Sequence, residues 1–122
     1  MQPDKFSLRA RAKSFLYASN GLKALFKTEH NARIHISITL VVIILSLIKT
    51  VNKSEIISLV IVTGFVFVAE IFNTAIEKTI DFISKEKNSQ IKIIKDLAAA
   101  AVLIAAATAV ITGCIIFIPK FL

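Results

Sequence analysis

Apolar residues gather in three long runs separated by short polar breaks, and a basic stretch precedes them. The first run is Ile34 to Ile48, extended upstream by Asn31 to Arg33. The second starts at Ile56, stays apolar to Ala69, and continues through Glu70 and Glu77 to Ile83. The third, Leu97 to Ile118, carries no charge. A hydrocarbon core of about 30 Å takes ~20 helical residues to cross. In lipid only helices and closed barrels satisfy their own backbone, and three segments cannot close a barrel. The pattern therefore predicts an all-α membrane protein with one integral-membrane domain. Its parts are an N-terminal amphipathic surface helix over about 5–28 and transmembrane helices over about 31–50, 55–84 and 91–118. Short connections at Thr50–Ser54 and Ser84–Gln90 suit antiparallel neighbours.

Within the first stretch, Phe15, Leu16, Ala18, Leu22, Leu25 and Phe26 recur at helical spacings, with Arg9, Arg11, Lys13, Lys23 and Lys27 around them. A basic amphipathic helix beside a hydrophobic span lies along the membrane surface. The alternative is a solvated helix docked on the other segments. In the third run Ala101, Ala105, Ala109 and Gly113 stand at strict four-residue steps. Small residues so spaced let helices approach closely in lipid, within the chain or between subunits. Three spans leave little protein to wall off a reaction site, so a homo-oligomer is expected.

Composition narrows the classes. Among 122 residues only Gly 3 and Pro 2 supply turn chemistry, against 56% hydrophobic residues, which excludes a β-sandwich, a β-barrel or a dinucleotide-binding fold. The lone Cys114 excludes an intramolecular disulfide and a cysteine zinc site. Gly21, Gly64 and Gly113 form no glycine-rich phosphate loop. Lys5, Arg9, Arg11, Lys13, Lys23, Lys27 and Arg33 precede the first span; Lys78, Lys85, Lys87, Lys92 and Lys95 follow or flank the second connection. The opposite side receives only Lys49, Lys53 and Lys120. The positive-inside bias then puts the N-terminus and the 81–95 loop in the cytoplasm. The net charge of +7 flanks hydrophobic spans instead of forming a soluble basic domain, so no nucleic-acid partner is expected.

The chemistry lies in the second span. At 100° per residue Glu70, Asn73, Glu77 and Asp81 fall at about 0°, 300°, 340° and 20°, one stripe spread over roughly 16 Å of depth. Ionisable groups inside a span cost kilocalories and face partners or a functional cavity. Two glutamates and an aspartate in register exceed what helix packing needs. Glu29 stands at the start of the first span and Lys95-Asp96 at the start of the third, and in an antiparallel bundle both clusters meet the same end of the second span. Carboxylates converging from two helices, without a cysteine or a histidine pair, favour a hard cation such as Mg²⁺. His30 and His35 are expected as interfacial hydrogen bonders, since five residues apart they point in different directions. A phosphate substrate would be held by Mg²⁺ with Lys95, Arg9 and other cations, because phosphoryl transfer needs mostly positioning and charge neutralisation.

Glu70-x-x-Asn73-Thr74-Ala75-x-Glu77, followed by Lys95-Asp96-x-Ala98-x-Ala100-Ala101-Val102, resembles the bacterial membrane-integral diacylglycerol kinase and undecaprenol kinase family from Phe15 to the Ile118-Pro119-Lys120 end. The resemblance implies a homotrimer in the bacterial cytoplasmic (inner) membrane, with ATP and Mg²⁺ bound at the cytoplasmic face and sites shared between neighbouring subunits. It implies Glu70 as the general base toward the lipid hydroxyl, with Asn73 supporting the reacting groups. Glu29 and Glu77 become the metal ligands, and Lys95, Asp96 and Asp81 nucleotide contacts, joined by Arg9 and Tyr17 from the N-terminal helix. The Glu29-His30-Asn31-x-Arg33-Ile34-His35 run is closer to the undecaprenol branch, which places undecaprenol slightly ahead of diacylglycerol as acceptor. Two other functions fit the polar stripe: a small proton-coupled transporter using Glu70 and Glu77, and a non-catalytic assembly subunit. A carrier would be expected to show internal repeats, and none is visible.

Overall fold

A computed structural model describes residues 5–122, and all of its regular structure there is helical: α1 (Leu8–Thr28), α2 (His30–Ile48), α3 (Lys53–Ile83) and α4 (Ser89–Phe121). The last three, of 19, 31 and 33 residues, are long and apolar enough to cross a membrane. This is the all-helical, three-span architecture the hydrophobic runs predict.

Each helix boundary has a local cause. Ser7 caps α1 by accepting from the Ala10 amide at 3.3 Å. One extended residue, Glu29 (φ −106°, ψ 117°), ends α1 and opens α2. Arg33 then reaches back across this break, donating from Nε to the Phe26 carbonyl at 2.8 Å and from Nη2 to the Lys27 carbonyl at 2.5 Å. Those carbonyls belong to the last turn of α1, where no intrahelical donor remains. Asn52 and Glu55 form a reciprocal capping box at the start of α3, at 2.9 and 3.0 Å. Lys120 fastens the end of α4 there, with Nζ 3.1 Å from Glu55 and 2.9 Å from the Thr50 carbonyl. Asn88 caps α4 through the Ile91 amide at 2.8 Å.

The tight packing is between α3 and α4. On α3 Leu59, Val66, Glu70 and Asn73 are buried, with Thr63 and Glu77 half-buried in the same register. On α4 Ala98, Ala105 and Ile116 are buried, with Val102, Ala109 and Thr112 half-buried between them. Both faces step alternately by four and three, the pattern of helices crossing at a shallow angle. The polar stripe therefore continues the same seam that Leu59 and Val66 begin. At the far end Leu59, Ile116 and Phe117 form a small core with Val42, Leu45 and Val51 around it, which is where α2 joins.

Within the chain, the four-residue stripe on α4 is not the face that packs on α3. Ala105 is fully buried, but Ala101 is exposed, and nothing lies within 4 Å of where a Cβ on Gly113 would stand. A strict step of four drifts by about 40° per step, so it winds off the contact face within three steps. The contact follows the alternating pattern instead.

The described chain exposes 9621 Å². A soluble globular protein of this mass exposes about 6,500 Å². Side chains such as Leu47, Ile115 and Leu103 stand largely uncovered on the spans, as lipid-facing or partner-facing positions require.

Candidate active site

Halfway along α3 the seam changes from apolar to polar. Glu70 is 1% exposed and is the largest fully buried side chain among the described residues. Asn73 and Thr74, one turn on, are also buried. Glu70 Oε2, Asn73 Oδ1 and Thr74 Oγ1 have no hydrogen-bond partner. Each buried, unsatisfied polar atom costs about 1–3 kcal/mol. Folded proteins leave few of them. Three within two helical turns oppose folding unless something else satisfies them.

The surroundings of Glu70 are ionisable. His35 on α2 places Nε2 3.8 Å from Oε2, within ion-pair range. Glu29 and Glu77 are the other charged groups close enough to act on it. Glu29 is placed by its position at the α1–α2 break, where Thr28 Oγ1 donates to its Oε1 at 3.3 Å. Lys78, the neighbour of Glu77 in sequence, reaches the same Oε1 at 3.7 Å. The carboxylate of Glu29 thus lies against α3 at Lys78, and its cation in this structure is that lysine ammonium. Glu77 is half-buried. Among the described residues no cluster of three or more acid, histidine or cysteine side chains could hold a metal by itself.

The stripe surfaces at Asp81. Lys95 on α4 closes on Asp81 with Nζ–Oδ1 of 2.7 Å, joining the two helices across the connecting loop. Asp96 does not point that way: it pairs with Lys92 on its own helix at 2.6 Å. Around that loop lies a cavity of about 560 Å³ lined by Asp81, Lys85, Lys87, Lys92, Lys95 and Asp96 among others. Arg9 and Tyr17 are exposed on α1 and make no hydrogen bond or ion pair among the described residues.

Of the residues expected to act together, Glu70, Asn73 and Glu77 share one face of α3, and Glu29 and Glu77 are near enough to act on Glu70. Lys95 and Asp81 form a second group at the surface, and Asp96 joins only the cavity rim. His35 and Thr74 are the additions. Thr74 could have been marked from its place beside Asn73; His35 carried no periodic signal, because α2 is apolar on all sides.

A family model described as prokaryotic diacylglycerol kinase matches residues 16–117. The undecaprenol kinase of Bacillus subtilis is 34% identical over 108 residues, covering 88% of this chain and 88% of that protein. The diacylglycerol kinase of a Synechocystis species is 34% identical over 110 residues, covering 89% of this chain and 63% of that protein. These matches displace the proton-coupled carrier and the purely structural subunit, either of which the polar stripe alone would have allowed. The chain belongs to the prokaryotic diacylglycerol kinase family: it is a membrane-embedded lipid kinase, of a family that uses ATP.

Proposed function

We propose that this kinase transfers the γ-phosphoryl group of Mg-ATP to the hydroxyl of undecaprenol, in preference to diacylglycerol, with Glu70 as general base. The observation that carries the assignment of the base is the buried carboxylate of Glu70 with an unpartnered Oε2 beside two further unsatisfied polar atoms. In the step, the lipid oxygen attacks the γ-phosphorus, the bond to the ADP oxygen breaks, and the hydroxyl proton passes to the Glu70 carboxylate. Asn73 offers its unpaired side-chain oxygen, and its amide donors, to the reacting groups. Glu29 and Glu77 would hold Mg²⁺, which supplies neutralisation of the phosphate charge. Two carboxylates suit an ion that ordinarily takes one or two from protein and the rest from phosphates and water.

The nucleotide phosphates fit the lysine-lined loop cavity, with Lys95 as the principal contact, Asp81 and Asp96 at its rim, and Arg9 and Tyr17 closing from α1. The preference for undecaprenol is supported by the Glu29-to-His35 run and by the even coverage of the Bacillus relative. The lysine distribution supports a cytoplasmic N-terminus and loop, the uncovered apolar surface supports residence in a membrane, and the family resemblance supports a homotrimer in the bacterial inner membrane.

Purified protein incubated with γ-labelled ATP, Mg²⁺ and each lipid tests the reading. Label is expected in undecaprenol; label in diacylglycerol alone would remove the assigned acceptor. Glu70→Gln should keep Mg-ATP binding and lose transfer by about 10²–10⁴-fold, the usual worth of general base catalysis. Unchanged turnover would remove Glu70 from the mechanism.

A further inference from the structure

We infer that His35 is a positioning residue for the base: it orients the Glu70 carboxylate and carries away the proton that Glu70 collects. The inference rests on the reading of Glu70 as general base.

A base that is 1% exposed has a disposal problem. Each turnover leaves it protonated, and the next requires the carboxylate. Among the described residues His35 is the one basic side chain within ion-pair range of Glu70, with Nε2–Oε2 of 3.8 Å, and its side chain is 17% exposed where that of Glu70 is 1%. It can release what Glu70 cannot. The proton balance is simple. The lipid O–H bond breaks as Glu70 O–H forms; that bond breaks as His35 Nε2–H forms; the imidazolium then gives one proton to water or buffer. Imidazole is the side chain whose ordinary pKa allows both halves of that exchange near neutrality. The 3.8 Å separation is looser than a hydrogen bond, as catalytic contacts often are before substrate closes the site.

The ring is held in place rather than merely nearby. Phe67, one turn before Glu70 on α3, meets His35 edge to face with centroids 6.4 Å apart and planes at 79°. Phe67 in turn meets Phe26 of α1 at 6.1 Å and 66°. Three helices therefore fix one imidazole over one carboxylate. The charged groups around the pair are Glu29 from the α1–α2 break and Glu77 from α3. From α4 the cavity that His35 lines receives Ala106, Ala109 and other uncharged side chains, so no competing proton acceptor faces the ring there.

The test compares His35→Ala, His35→Gln and Glu70→Gln in the full-length protein, with kcat and KM for ATP measured at low and high concentrations of imidazole buffer. His35→Ala should lower kcat by about 10–100-fold while KM for ATP moves by less than about twofold, and imidazole should recover at least several-fold of the lost kcat. His35→Gln, which keeps a polar side chain and cannot relay, should lower kcat and make it rise with buffer concentration. Full activity in His35→Gln overturns the inference. So does a folded His35→Ala whose loss imidazole does not repair. If His35→Ala fails to fold, the buffer dependence of His35→Gln decides: a kcat that ignores buffer concentration overturns the relay. Glu70→Gln should be inactive and insensitive to imidazole; activity there would overturn the base itself, independently of what His35 does.

Discussion

Replacing Glu70 with methionine should make the protein more stable and inactive at once. The side chain is 1% exposed, its Oε2 accepts no hydrogen bond, and the nearest basic side chain, His35, stands at 3.8 Å, too far for a full hydrogen bond. Leaving a buried acceptor unsatisfied costs about 1–3 kcal/mol, and a charged group costs more. Replacing a whole buried ion pair by apolar residues of similar volume is commonly neutral or stabilising by about 1–4 kcal/mol, and Glu70, whose Oε2 has no hydrogen bond to lose, approaches that case. Methionine is unbranched and adapts to irregular space, so little strain offsets that gain. The expected result for Glu70→Met is a stabilisation of about 1–3 kcal/mol with phosphoryl transfer abolished. Reversible unfolding in mixed micelles, with increasing denaturing detergent and far-ultraviolet circular dichroism as the readout, measures the first part; the chain has no tryptophan for fluorescence. A control at the apolar end of the same seam, Leu59→Ala, should lose about 2–5 kcal/mol. If Glu70→Met instead loses as much as that control, the carboxylate is holding the helices together. The polar stripe would then be structural, and the argument from unsatisfied atoms would fail.

Two further perturbations separate the parts of the site. Asp81 and Lys95 are 62% and 37% exposed, so their pair should contribute less than about 1 kcal/mol, and Asp81→Asn should barely change unfolding. Lys95→Met should raise KM for ATP at least about tenfold, the effect of losing one charge-assisted phosphate contact, and an unchanged KM would free Lys95 from the nucleotide. Arg33→Ala removes both side-chain bonds that tie the end of α1 to α2. Because Glu29 sits at that break, turnover should fall about tenfold or more although no substrate contact is altered. Normal kcat in Arg33→Ala would mean that the break holds its shape without the arginine.

The spans could be read from the sequence because lipid leaves a long apolar segment only one backbone solution. The acidic stripe could be read because helical pitch aligns Glu70, Asn73 and Glu77 whatever surrounds them. What the sequence leaves open depends on choices that pitch does not encode. Asp96 has Lys92 one turn back on its own helix and takes that local partner instead of turning toward α3. Ala101 lies off the seam because the contact face follows alternating steps of three and four. His35 was hidden for a different reason. An apolar helix has no preferred side, so the rotation of α2 is set by Arg33 at its start and by Phe67 against the ring, and both are tertiary contacts.

The three residues that carry the unsatisfied atoms border three different neighbours. Glu70 turns toward His35 of α2. Asn73 lines a groove of about 340 Å³ with Ala98, Ala101 and Phe72, on the outer flank of the α3–α4 seam. Thr74 lines another of about 560 Å³ with Ala18, Leu25 and Lys78, between α1 and α3. Glu70, buried in the seam, is thus flanked by two apolar grooves, while the lysine-lined cavity lies beyond Asp81 at the end of α3. On the proposed mechanism, a lipid alcohol would use an apolar groove and the nucleotide the lysine-lined cavity, two separate routes to Glu70. Alanines at positions 98 and 101 keep the first groove open. Bulk there, as in Ala101→Phe, should therefore raise KM for the lipid while leaving KM for ATP within about twofold, because the nucleotide route does not pass that helix face. Equal increases in both constants would show that the two routes are one.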